Sequence, residues 1–203
     1  MTVLANRLRS IAAVLVLTLA LPATAAETYR MDVIVFLDLS VTGEAGGALT
    51  QPDVSRALAL DNAAALSAAG ITVLPDEQFG LQEQWQRLRN SKRYRPLIRL
   101  AWTQRDPPAE RGPALRVRLG QAQVAGSADG FGAQAVSPVE GSVAMLLNRY
   151  LMLDSDLVYS VPVGGSYQSY TLRERRRMRR DELHYIDSPK LGIVARVSRA
   201  SQE

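Results

Sequence analysis

The sequence predicts an α+β fold, a single domain of mainly antiparallel sheet with about two helices covering one face. Three observations predict it. Apolar residues recur at helical spacing between 52 and 90, then at every second position from 95 onward. A wholly apolar stretch near residue 33 has the pattern of a central strand buried on both faces. The 203 residues contain no cysteine, so a core rather than disulfides must hold the fold, and the chain is long enough to bury one.

The elements follow in order. Residues 29–37 (YRMDVIVFL) place Tyr29, Met31, Val33 and Val35 on one face before becoming continuously apolar. A Gly- and Thr-rich loop is expected at 42–50. Residues 52–70 (PDVSRALALDNAAALSAAG) read as a helix with Asp53 as cap, Val54, Leu58, Ala65 and Leu66 on one side, and Gly70 as its stop. Residues 71–74 form a short strand or connector before Pro75. Residues 77–90 read as a second helix, with Leu81, Trp85 and Leu88 at i, i+4 and i+7.

The period then becomes two. In 95–104, Pro96, Ile98, Leu100 and Trp102 oppose Arg95, Arg99 and Thr103, and Trp102 is assigned to the core. In 114–124, Leu115, Val117 and Leu119 oppose Arg116 and Arg118. Pro107, Pro108, Gly112 and Pro113 join these strands, and 126–135 is expected to be loop. Residues 139–153 read as one long strand, with Arg149 either ending its covered part or pairing with an acid such as Asp154. Residues 169–178 and 191–197 complete the set.

The first 26 residues are expected to lie outside the domain, which then spans 27–203. Arg7 and Arg9 precede an apolar run at 11–21, and Ala23 and Ala25 satisfy the A-x-A rule of a cleaved secretory signal. The run falls short of the ~20 residues a spanning helix needs, and no other window approaches that length, so no stable membrane span is expected. The expectation is an exported, periplasmic or secreted protein. Its charge is uneven: residues 27–84 carry nine acids and two bases, whereas 85–118 carry ten bases and two acids. Export and near-neutrality argue against nucleic acid, and favour envelope polyanions or an acidic partner protein.

Enzyme chemistry has little to stand on. The chain has one histidine, no cysteine and no G-x-S-x-G. Glu182, His184 and Asp187 could each ligate a metal, but one histidine with two carboxylates matches no strong spacing, so neither a metal nor another cofactor is expected. Asp154 and Asp156, the nearest candidates for a glycosidase pair, are assigned to a turn at a strand end. The arginines carry the strongest signal. On a strand, Arg173, Arg175, Arg177 and Arg179 share one face, opposite Glu174, Arg176, Met178 and Arg180. Such a row either keeps an edge solvated and unpaired or grips carboxylates. Concentrating like charge there requires compensation by acids or by a ligand.

Three segments, LRNSKRYRPLIRLAWTQ (88–104), VEGSVAMLLNRYLMLDSDL (139–157) and RRRMRRDELHYIDSPKLGIVARV (175–197), resemble in order and spacing the CsiV family of periplasmic proteins. The C-terminal block is the most specific, with Arg176, Arg177, Met178, Glu182, Leu183, His184, Tyr185, Asp187, Pro189 and Gly192 matching its pattern. Ser188, Met152 and Arg99 stand where the family commonly has histidine. The resemblance implies a non-enzymatic protein that binds peptidoglycan and assists a class A penicillin-binding protein through its outer-membrane lipoprotein activator. A protein–protein adaptor that ignores the glycan is the alternative. Arg173, Arg175, Arg177, Arg179, Tyr94 and Arg95 are the candidate ligand contacts. Arg149, Tyr150, Trp102, Glu182, His184, Tyr185, Asp187 and Pro189 are expected to build the fold.

Overall fold

The computed structural model describes residues 27–41, 46–125 and 134–200. The expected signal segment lies outside them, as do parts of the loops expected at 42–50 and 126–135. Eleven strands dominate: β1 (Thr28–Asp38), β2 (Ile71–Val73), β3 (Tyr94–Arg105), β4 (Leu115–Leu119), β5 (Gln123–Ala125), β6 (Gln134–Val136), β7 (Val139–Leu147), β8 (Leu151–Val163), β9 (Ser166–Met178), β10 (Leu183–Asp187) and β11 (Leu191–Arg199). Two short helices, α1 (Ala63–Ala68) and α2 (Gln82–Arg89), accompany them.

Sheet A has the order β10-β11-β1-β3-β2, sheet B the order β4-β7-β8-β9, and β5 pairs with β6. Every strand pairing is antiparallel. The fold is therefore more sheet-dominated than an even α+β mixture, with 54% strand against 11% helix.

Period two explains the main core. The odd-numbered residues of β1 (Met31, Val33, Val35, Leu37) and β11 (Ile193, Ala195, Val197) face Val143, Met145, Leu153 and Leu157 of sheet B in one cluster. Trp102 lies in this cluster, fully buried. Each such side chain contributes about 1.5–3 kcal/mol by leaving water. The outer face of sheet A is also covered, because Ile34 and Ala101 pack with Phe79, Leu81, Trp85 and Leu88 of the segment around α2. β1 is therefore buried on both sides, as its continuous apolar run requires.

The predicted second helix is present as α2, after a single 3-10 turn at Asp76–Gln78. The predicted first helix is not: only Ala63–Ala68 is helical, capped by Asn62 rather than Asp53, and Leu66 joins the main core. Leu58 leaves the helix because its N–H and C=O bond to Ala114 and Arg116, covering the outer edge of β4. Gly70 does terminate α1, in the left-handed region at φ 67°. The run 139–153 is likewise not one strand. Residues 148–150 turn it into the β7–β8 hairpin, with Tyr150 N–H donating to Asn148 Oδ1 at 3.0 Å. Arg149 sits exposed on that turn, where the covered part of β7 ends as the first reading expects, and Asp154 pairs with Arg175, so the ion-pair reading does not hold. The next hairpin turns on Gly164 and Gly165, both with positive φ, as a two-residue connection between right-twisted strands demands.

Candidate functional site

β9 is one of the two edge strands of sheet B, and its two ends are managed differently. Near its start, Gly47 exchanges two backbone hydrogen bonds with Ser169 and covers the edge. Beyond Leu172, among the described residues, no strand pairs with the side away from β8. The arginines occupy this uncovered part, where guanidinium groups oppose docking of another sheet.

Their charge is largely compensated from the neighbouring strand. Arg173 faces Asp156 at 3.0 Å, and Arg175 faces Asp154 at 2.5 Å, each across the β8–β9 ladder. The hydrogen bond that Arg175 donates to Asp154 raises the Arg175 pKa. Asp154 and Asp156 are thus mid-strand residues and counter-ions of the row, not the turn-formers predicted from D-S-D. Arg176 reaches Glu174 at 3.4 Å and Arg179 reaches Glu182 at 3.8 Å, both looser contacts. Arg177 has no carboxylate partner among the described residues. Its guanidinium lies 3.5 Å from the centroid of the Tyr150 ring, and Arg149 approaches the same ring at 5.5 Å. Such stacking holds a guanidinium in place while leaving its N–H groups available.

Glu174, Arg175, Arg176, Arg177, Arg179 and His184 line a hollow of about 390 Å³. His184 reaches it from β10, immediately after the turn at 179–182, where Asp181 takes a left-handed φ of 63°. Its Nε2 accepts the Arg179 backbone N–H at 2.9 Å, tying the turn to the strand. One carboxylate among four arginines and an imidazole makes this a strongly cationic concavity on β9, suited to bidentate contact with carboxylates.

The other predicted contacts lie elsewhere. Tyr94 and Arg95 begin β3 in sheet A and do not line the hollow. Tyr94 packs edge-on against Phe36 at 5.3 Å, and Arg93 lies 5.0 Å over its ring. Tyr185, 47% exposed, stacks on the other part of Phe36 at 5.8 Å, and partial burial raises its pKa. Gly192 makes room for that ring: a Cβ there would lie 2.2 Å from Phe36 Cζ. The turn that follows Asp187 is closed by Ser188, whose N–H donates to the Leu191 carbonyl at 2.8 Å before Pro189 fixes the chain. Sequence reasoning missed Tyr150 as the support of Arg177, since the two residues are far apart in the chain and meet only through β8–β9 pairing.

Searches of curated proteins and of solved structures found no match. A family model described as "Peptidoglycan-binding protein, CsiV" matches residues 9–200, nearly the whole chain. With its arginine-lined edge and its C-terminal block accounted for in three dimensions, the chain belongs to the CsiV family of peptidoglycan-binding proteins.

Proposed function

We propose that the protein is an exported, non-enzymatic accessory of wall synthesis that holds peptidoglycan carboxylates in the hollow at the uncovered end of β9. It then assists a class A penicillin-binding protein and its outer-membrane lipoprotein activator. The observation that carries this reading is the imbalance inside the hollow, where Arg176, Arg177, Arg179 and His184 face one glutamate. Peptide stems of the wall bear free carboxylates, which planar guanidinium groups bind in pairs. Export is supported by the charged, apolar and small-residue order of residues 1–26. A binding rather than a hydrolytic role is supported by Asp154 and Asp156, whose carboxylates are engaged by arginines.

The test has two arms. The protein from Ala26 onward is sedimented with purified sacculi, and separately presented to the synthase with and without its activator. Salt-sensitive sedimentation and a change in glycan polymerisation support both halves. Failure to sediment at low salt removes the wall-binding half and leaves an adaptor acting through protein contacts.

A further inference from the structure

A second basic hollow, of about 640 Å³, lies on the outer face of sheet A, and no predicted site residue belongs to it. Its floor is laid by strand register. Ser198, Arg30 and Thr103 are direct neighbours across β11, β1 and β3, and Arg196 lies beside Asp32 in the adjacent row. Asp32 is buried and accepts both the Arg30 guanidinium, at 2.8 Å through two contacts, and the Gly80 N–H at 2.6 Å. Arg30 also donates to the Gln78 carbonyl. The rim around Gly80 is thereby fastened to the sheet, and Arg30 is held in one orientation.

Arg196 is placed differently. It donates to the Gly80 carbonyl at 2.9 Å and pairs with no carboxylate among the described residues. A point at the Cβ position of Gly80 lies 2.7 Å from Arg196 Nη2 and 3.0 Å from Arg30 Nη2. Two guanidinium groups therefore crowd one side of Gly80, with a single buried carboxylate between them. Arg199, at the margin, is already bound to Glu27. The surplus charge rests on Arg196, beside the hydroxyls of Thr103 and Ser198. Fixed guanidinium groups next to hydroxyl donors, in a concavity of ligand size, are the elements of a site for a small polar anion.

We infer that this hollow is a second binding site, one that takes a single carboxylate-bearing glycopeptide fragment of peptidoglycan, its carboxylate on Arg196 and Arg30 and its amide or sugar groups on Thr103 and Ser198. The ligand class rests on the family's peptidoglycan binding, and the site is independent of the β9 hollow. Two sites on different sheets let one molecule touch two stems of the same wall and gain in effective concentration.

The experiment is a titration of the protein from Ala26 with a soluble disaccharide-tetrapeptide, followed by amide chemical shifts and calorimetry. The expected result is perturbation of Gly80, Thr103 and Ser198. Arg196→Gln is expected to weaken affinity at least about tenfold with an unchanged melting temperature, as is amidation of the fragment's carboxylates, whereas Arg87→Ala, on the exposed side of α2, leaves it unchanged. Thr103→Val, which keeps a strand-compatible shape, gives a smaller loss. Equal affinity in Arg196→Gln, perturbations confined to 174–184, or no binding of the fragment at millimolar concentration would overturn the inference. The last outcome is compatible with sacculus sedimentation through β9, so failure here and failure of the proposed function are read separately.

Discussion

Asp154 and Arg175 stand directly opposite each other on β8 and β9, and their side chains meet at 2.5 Å. With the parallel contact of Asp156 and Arg173, this pairing sets a tightly compensated half of the arginine cluster against a half compensated only loosely. In the second half, Arg176 reaches Glu174 at 3.4 Å, Arg179 reaches Glu182 at 3.8 Å and Arg177 has no carboxylate partner among the described residues. Residues 173 and 175 supply charge that is spent inside the protein. Residues 176, 177 and 179 supply charge that faces outward.

Removing the counter-ions therefore strengthens wall binding. Asp154→Asn with Asp156→Asn is expected to raise sacculus affinity several-fold at low salt, with the gain vanishing at high salt. Exposed pairs are worth about 0–1 kcal/mol each, so folding stability falls only slightly. Co-sedimentation across a salt series checks both statements.

Gly192→Ala acts on stability rather than on binding. The added methyl meets the Phe36 ring, which is clamped between Tyr94 and Tyr185 and cannot retreat freely. Overpacking of this kind costs about 1–3 kcal/mol. Urea denaturation is expected to show the loss, while the folded protein keeps wild-type affinity.

Arg30→Met is expected to destabilise by about 3 kcal/mol, because it strands the buried Asp32 carboxylate with only the Gly80 N–H. The double variant Arg30→Met/Asp32→Leu is expected to recover part of that loss. A chemical-denaturation cycle over the four proteins measures the coupling.

Asp38 gives the fold an acid-sensitive component. Hydrogen bonds from Arg93, and secondarily from Ser40, hold its carboxyl well below the ordinary value of 3.8. A folded-state pKa below the unfolded one stabilises the protein above pH 3.8, and that contribution is lost as the pH falls toward the folded value. Melting temperatures of wild type and Asp38→Asn are expected to differ at neutral pH and to converge at lower pH.

The strands were legible because period-two alternation survives in Met31–Leu37, Leu115–Val117 and Ile193–Val197, where one face meets the other sheet. Leu119, expected on the same inner face, is instead exposed at the end of β4. α2 was legible for the same reason at helical period. The first helix was overread because Leu58 finds a better backbone partner in the edge of β4, a tertiary contact that local pattern cannot carry. The break at 148–150 was hidden because both strands of the hairpin present apolar odd faces, leaving Asn148 and Arg149 as the main punctuation. Gly164-Gly165 carries a hairpin-turn signal, yet the sequence expectation assigned no strand to 154–168.

Of the site, the arginine row was visible in the sequence, but which arginines are free was not. That depends on Asp154, Asp156 and Tyr150, 17 to 27 residues from the arginines they meet and aligned only by register. The Arg30–Arg196 hollow joins the first and last strands and has no local signature at all.

Co-sedimentation of the protein from Ala26 with purified sacculi, at low and high salt, tests the central claim most directly. The comparison is between Arg176/Arg177/Arg179→Ala and Arg173/Arg175→Ala. The account predicts salt-sensitive binding that the first variant loses and the second largely keeps. Equal loss in both, or undiminished binding in the first, would contradict it.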